Sequence, residues 1–275
     1  SRVNGFRYAA LIVKTSLLSR LIRWGIFYDP KFDYTSENEQ YVSKLGHASS
    51  HQFAVDHVKP GSRVVDLGSG TGVMAEGLSH KQAEVISVDL YLPPKVIQYS
   101  RQVIQANIDD FDFDCSPEDV DYILMLDIIE HLRHPELILQ RIRQRYCRRR
   151  PTIILTTANI AFLPVRLALF FGQFNYGKRG ILDMDHVRLF TFASLRRVLS
   201  NSGYELVEER GIPAPFHLAF GNQAIARFFV SINKFLLRVS KGLFSYQIAF
   251  VARPMPTVDM LLENAIQSGH EKAEG

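Results

Sequence analysis

Cysteine is almost missing from this sequence. Cys115 and Cys147 are the only two, and their separation fits neither a CxxC redox pair nor a zinc-ligand set. Free thiols in a reducing compartment follow, so a cytoplasmic location is expected. Long apolar runs are missing too. None approaches the roughly eighteen residues that mark a spanning helix. No signal-peptide pattern with a small-residue cleavage site opens the sequence. Internal repeats and low-complexity blocks are absent. A strong net charge is lacking as well: 32 Lys and Arg stand against 28 Asp and Glu, for a net charge of +4. So mild an excess does not point to nucleic acid, and neither an NPPY-type motif nor an RNA-binding module is present.

What is there suits a globular α/β chain. Hydrophobic residues make up 47% of the 275, enough for a sizeable core. Short β-branched runs at Val64–Leu67, Val85–Val88, Tyr122–Leu126 and Thr152–Thr156 alternate with segments of helical period. That alternation predicts a mostly parallel sheet with helices on both faces, a Rossmann-like architecture. Further strands are predicted at Tyr204–Glu209 and Tyr246–Ala252. Three regions look added to this frame. Residues 1–60 form an N-terminal helical extension, with an apolar stripe of Phe6, Ala10, Val13, Leu17, Leu21 and Trp24 and a second helix over Ser36–His57. Residues 159–186 and 213–245 are insertions in the 61–254 domain and form a helical cap. Residues 255–275 read as a polar, frayed tail.

The stretch VVDLGSGTGVMAEGL, Val64–Leu78, places a glycine-rich loop between a strand and a helix. Gly68 and Gly70 leave bare backbone where a ligand must approach, and they permit positive φ. A dinucleotide loop has the spacing G-x-G-x-x-G. Here the third glycine, Gly72, comes one place early. Asp66 precedes the loop, where a carboxylate would repel a pyrophosphate but would suit an ammonium group. Seventeen residues beyond Gly72 the second strand ends at Asp89, placed to accept both hydroxyls of a ribose. Eighteen further on, Asn107 and Ile108 follow the third strand, where a polar side chain can bond an adenine edge. An ammonium-bearing ligand with ribose and adenine but no phosphate is S-adenosylmethionine (SAM).

At this point the chain resembles class I SAM-dependent methyltransferases of the group that includes the ubiquinone-type O-methyltransferases. VVDLGSGTG, VISVDL, ANIDDFDF, YILMLDIIEHLRHPELIL and DMDHVRLFTFASLRRVLSNSGYELVE carry the resemblance over roughly residues 40–210. It implies a seven-stranded sheet, six strands parallel and the last antiparallel at or near the edge. It implies that Asp66, Gly68, Ser69, Gly70 and Gly72 surround the methionine part of SAM, that Asp89 holds the ribose, and that Leu90 lies against the adenine. Most relatives have Asp where this chain has Asn107. Asp127, in the loop after the fourth strand, lines the methyl-donor pocket by the same resemblance. The product is S-adenosylhomocysteine (SAH).

Methyl transfer needs alignment and a base for the acceptor. His131 and His186 are the candidates, with Asp127 beside them, because an imidazole titrates near neutrality. Each also has a structural reading: His131 as a brace of its loop, His186 as a partner of Asp183 or Asp185. A divalent metal on Asp127, Glu130 and His131 is disfavoured by the poor octahedral geometry of three ligands on one short loop, so no metal is expected. Pro135 starts the following helix, with Leu137, Ile138 and Ile142 on its buried side. The acceptor is expected to be a small or lipid-linked molecule methylated on oxygen, less readily on nitrogen. A non-catalytic SAM- or SAH-binding subunit is the alternative.

Two basic features stand outside this reading. From Ile225 to Leu243, Ile225, Phe228, Phe229, Ile232, Phe235, Leu236 and Val239 project to one side, and Arg227, Ser231, Lys234, Arg238 and Lys241 to the other. This pattern fits a peripheral helix on an anionic membrane surface, or a lid packed on the core with a solvated basic face. Arg141–Pro151 contains six arginines; it ends a helix at the sheet end away from the predicted pocket.

Overall fold

A computed structural model describes residues 5–23, 45–113, 119–216, 223–262 and 266. Seven strands form one sheet: β1 Arg63–Leu67, β2 Glu84–Asp89, β3 Gln102–Gln105, β4 Tyr122–Leu126, β5 Thr152–Ala158, β6 Tyr204–Ile212 and β7 Gln247–Pro254. Their spatial order is β3-β2-β1-β4-β5-β7-β6. All neighbouring pairs among β1 to β5 are parallel, whereas β7 is antiparallel to both β5 and β6. This is the Rossmann-like arrangement that the alternating runs predict. The antiparallel strand lies one place in from the edge.

The helices are α1 Gly5–Arg23, α2 Ser50–His57, α3 Val73–Ser79, α4 Pro94–Tyr99, α5 Pro135–Tyr146, α6 Leu163–Phe170, α7 Phe192–Asn201, α8 Gln223–Val239 and α9 Lys241–Phe244. β4 is buried along its whole length, as the apolar run YILML requires of a strand covered on both faces. One core layer joins Ile123, Met125, Ile138, Ile142 and Phe250; the opposite layer joins Phe53, Met74, Leu78, Leu124 and Ile154. Fully burying each such side chain contributes about 1.5–3 kcal/mol.

Several boundaries differ from the sequence expectations. Helix α2 starts at Ser50, where the Ser49 side chain accepts from Gln52 N; residues 36–44 of the predicted helix lie outside the described residues. In α1, the stripe residue Val13 is exposed, as are Leu11 and Ile12 beside it; Trp24 of the stripe lies outside the described residues. Leu137 is exposed, because α5 turns Ile138, Leu139, Ile142 and Tyr146 inward. The helix predicted to run to Leu243 stops at Val239, and Lys241 belongs to α9. The tail begins with a helical turn over 258–262.

The functional end of the molecule is set by topology. In the parallel part the order reverses between β1 and β4, which opens a crevice at their carboxyl ends. The two insertions are tied together on the same side. Asn159, fully buried at the end of β5, donates through Nδ2 to Gly242 O (3.0 Å) and Ser245 O (2.9 Å). Phe162 meets Tyr246 edge-on, ring centroids 5.8 Å apart.

Candidate active site

The glycine loop leaves β1 with three left-handed residues, Gly68 (φ 78°), Gly70 (φ 50°) and Gly72 (φ 80°). They differ in what requires them. A Cβ on Gly68 would lie 2.0 Å from Ile128 Cδ1, so the residue is fixed by close packing as well as by φ. Gly70 has nothing but its own loop carbonyl within 4.0 Å, so the backbone there faces open space. Gly72 is the N-cap of α3 and lies against Val96, 3.1 Å from where its Cβ would be.

Two buried polar groups under this loop have no partner: Asp66 Oδ2 and Ser69 Oγ. Asp66 is only 2% exposed. Burial pushes its carboxyl up to about 7, and the charge of Asp89 adds to the effect. A carboxylate held out of water with one oxygen unsatisfied lacks a cation or donor. The site therefore fits the ammonium group of an amino-acid ligand.

Asp89 stands at the end of β2. Its Oδ2 accepts from Gly70 N at 2.7 Å and its Oδ1 from Tyr91 N at 3.0 Å, so it clamps the tip of the glycine loop. Each oxygen keeps a second lone pair for a diol. Leu90 beside it is exposed. Asn107 caps the short 3-10 turn Ile108–Asp110, its Oδ1 accepting from Asp109 N at 3.1 Å. The Asn107 side chain thus has a structural role of its own. Ile108 reaches toward the same side of Gly68 as Ile128.

Asp127 follows β4 with φ 56°, a strained value for a residue with a Cβ. Three side chains hold it there. Thr156 Oγ1 donates to Oδ1 (2.9 Å), Ser50 Oγ to Oδ2 (3.2 Å), and Gln247 Nε2 lies 2.8 Å from both oxygens. Its own N–H donates to Thr156. Asp127 thereby joins α2, β4, β5 and β7 at the carboxyl rim. Sequence reading did not find Ser50, Thr156 or Gln247. Gln247 is in register with Ala158 across β5 and β7, a long-range pairing with no local signal.

Glu130, next in the loop, is buried. Its Oε1 accepts from Ala158 N at 3.2 Å and its Oε2 has no partner. Burial, and then the charge of Asp127, raise its carboxyl to about 8. The Glu130 carbonyl accepts from Val187 N and Arg188 N, at 2.9 and 3.0 Å, and so draws the 181–190 segment onto this loop.

That contact brings the two candidate bases together. The rings of His131 and His186 meet edge-on, centroids 4.9 Å apart. Among the described residues the His186 ring bonds neither Asp183 nor Asp185, the partners expected from sequence, and takes a backbone carbonyl instead. His131 Nδ1 donates to Asp185 O and His186 Nδ1 to Ile181 O, both at 3.0 Å. A carbonyl can only accept, so in the neutral rings the proton sits on Nδ1 and Nε2 carries the lone pair. Burial, with the neighbouring His131, holds His186 below the ordinary imidazole range. Among the described residues no group of three His, Cys, Asp or Glu side chains is placed to hold a metal ion.

The arginine-rich end of α5 is occupied with the chain's own backbone. Arg141 donates to Asp109 O, Arg143 to Met255 O, Arg145 to Phe113 O and Arg150 to Pro254 O.

A family model described as a methyltransferase domain matches residues 38–209. No curated protein sequence matches the chain. Among solved structures, magnesium protoporphyrin IX methyltransferase from Synechocystis PCC 6803, with bound SAH, is 16% identical with a TM-score of 0.51; the match covers 85% of this chain and 94% of that one. A SAM-dependent methyltransferase from Archaeoglobus fulgidus is 17% identical over 74% of this chain and 90% of that one, TM-score 0.47. The 1,6-didemethyltoxoflavin-N1-methyltransferase of Burkholderia thailandensis, with bound 1,6-didemethyltoxoflavin and SAH, is 15% identical over 93% of this chain and 92% of that one, TM-score 0.49.

Proposed function

The chain belongs to the methyltransferase-domain family, and from that premise we propose that it moves a methyl group from SAM to an oxygen of a small or lipid-linked acceptor, in the manner of the ubiquinone-type O-methyltransferases. The observation that carries the reading is the buried Asp66 carboxylate, one oxygen unsatisfied, beneath an open glycine backbone inside the matched segment. In this reading Asp66 receives the amino group of the donor, and Gly68, Ser69, Gly70 and Gly72 leave room for its amino-acid end. Asp89 takes the ribose hydroxyls, and Leu90, Asn107 and Ile108 border the adenine. Asp127 fixes the loop that closes the donor side.

Bound there, SAM supplies an activated methyl on a sulfonium. The residues have to orient the acceptor and hold its proton. His186 is suited to the proton: its Nε2 is the free nitrogen, and its lowered pKa keeps it neutral at physiological pH. His131 shapes the other side of the same pair. With the donor held there, the His186 Nε2 would take the hydroxyl proton as the acceptor oxygen gains the methyl, the electron pair of the broken S–C bond staying on the sulfur of the product SAH.

Removing the ribose acceptor tests the donor site. Asp89→Ala should weaken SAM binding by about 1.5–3 kcal/mol, the range for hydrogen bonds involving a charged group. Titration calorimetry showing the same SAM affinity in variant and parent would remove Asp89 from the site. Incubation with methyl-labelled SAM and candidate hydroxyl and amine acceptors tests the oxygen assignment, which fails if the label is found only on nitrogen.

A further inference from the structure

The exposed face of α8 runs against the way amphipathic helices normally pack. The strip it turns inward is narrow: Ala226 and Asn233 are buried, and Leu237 reaches Gly211. Asn233 secures that strip by accepting from Ala214 N and donating to Phe244 O. Several large apolar side chains point outward instead. Phe228 and Phe235 are both 63% exposed and Val239 69%, with Ile232 between them, at spacings of four, three and four residues that place them on one face. Arg227, Lys234 and Arg238, all exposed, share the adjoining face. Among the described residues none of these three cations is paired with an acid. Lys241 differs: it bonds Glu209 and does not belong to this surface.

A second apolar surface stands on the neighbouring insertion. Phe170, 82% exposed, and Phe171 end α6, with Leu167 and Leu169 exposed beside them. Asn159 and the Phe162–Tyr246 contact tie that insertion to the segment following α8, so both surfaces rise from the carboxyl rim of the sheet.

We propose that the outward face of α8 docks on an anionic lipid bilayer, with Phe228, Ile232, Phe235 and Val239 entering the headgroup boundary and Arg227, Lys234 and Arg238 meeting lipid phosphates and carboxylates. Charge complementarity selects this occupant. An apolar stripe edged by cations, with acids absent from the same stretch, matches a surface that is greasy below and negative above. A second copy of the chain is disfavoured by the same residues, because a symmetric contact would bring two sets of three cations together. The inference does not depend on methyl transfer, since lipid binding is measured without donor or acceptor.

Co-sedimentation of the full chain with vesicles provides the test. Vesicles of phosphatidylcholine alone are compared with an equal mixture of phosphatidylcholine and phosphatidylserine. The native chain should bind the mixed vesicles far more tightly. The triple variant Arg227→Gln, Lys234→Gln, Arg238→Gln should lose about a hundredfold in affinity, at roughly fivefold per cation near an anionic surface. Phe235→Trp should report insertion directly, its emission moving to shorter wavelength when mixed vesicles are added. These side chains are exposed, so the variants should keep the parent's melting temperature. Failure of the native chain to sediment with mixed vesicles at low salt overturns the proposal, as does equal binding by the triple variant. Concentration-dependent self-association that shields the Phe235→Trp indole without lipid also overturns it, in favour of a second copy.

Discussion

Asp66 is the residue where burial and charge conflict most directly. Its carboxyl titrates near 7 in the folded chain, against 3.8 when unperturbed. A folded pKa above the unfolded one means that the folded state holds the proton more tightly. The ligand-free protein should therefore lose stability as pH rises from about 4 to about 7, at up to about 1.4 kcal/mol per pH unit. Glu130, raised to about 8, acts with the same sign and extends the window upward. Ligand binding has the opposite sense. An ammonium partner needs Asp66 ionised, so SAH affinity should improve about tenfold between pH 6 and pH 8, with proton release on binding. Asp66→Asn should bind weakly and without that pH dependence. Calorimetry in two buffers of different ionisation enthalpy checks this, and a pH slope that persists in Asp66→Asn would assign it to another group. The histidine pair makes a separate expectation. His186→Gln should bind SAH as the parent does while turnover falls about a hundredfold or more. For the parent, the acidic limb of the pH–rate profile should lie below the ordinary imidazole value, because burial disfavours the charged ring. His131→Gln should lose less, and an equal loss in both variants would exchange or merge their roles.

At the scale of elements, the strands were legible and the contacts between distant elements were not. Val64–Leu67 and Tyr122–Leu126 are short buried runs, apolar but for Asp66, closed by Gly68 and Asp127, and the observed strand limits follow them closely. The loop glycines were legible as a motif, but the reason for Gly68 lies in Ile128, sixty residues later. Helix α8 shows the opposite failure. Its periodicity identifies a large apolar face, yet periodicity carries no information on which face another element covers, and here Asn233 and Ala226 are the ones covered. Asp127 was found for its place after β4, whereas Ser50 and Gln247 are 77 and 120 residues from it. The Gly68–Ile128 contact gives a prediction at this scale. Gly68→Ala should cost about 2–4 kcal/mol, from left-handed backbone strain and overpacking together. Adding Ile128→Ala should recover the packing part only, which a double-mutant cycle in denaturant would measure as favourable coupling. Additive losses would show that backbone strain alone fixes the glycine.

For the whole molecule, the proposed donor site is a junction of several elements. The glycine loop joins β1 to α3, Asp89 clamps that loop from β2, and Asp127 gathers α2, β5 and β7. The Glu130 carbonyl holds the histidine segment, and Asn159 joins the two insertions behind it. Asp66 and Glu130 each bury one carboxylate oxygen without a partner, which is destabilising, so a ligand that satisfies one of them stabilises the frame around the rim. Binding to the folded state alone at a hundredfold excess over Kd contributes about 2.7 kcal/mol. For a domain of this size that corresponds to a rise in melting temperature of about 5–10 °C. SAH should give that rise in a thermal scan, and Asp89→Ala should reduce it at the same concentration. NAD should give none, because Asp66 would face its pyrophosphate with a negative charge and the early Gly72 departs from the dinucleotide spacing. A larger shift with NAD than with SAH would reverse the ligand assignment while leaving the sheet and its glycine loop as described.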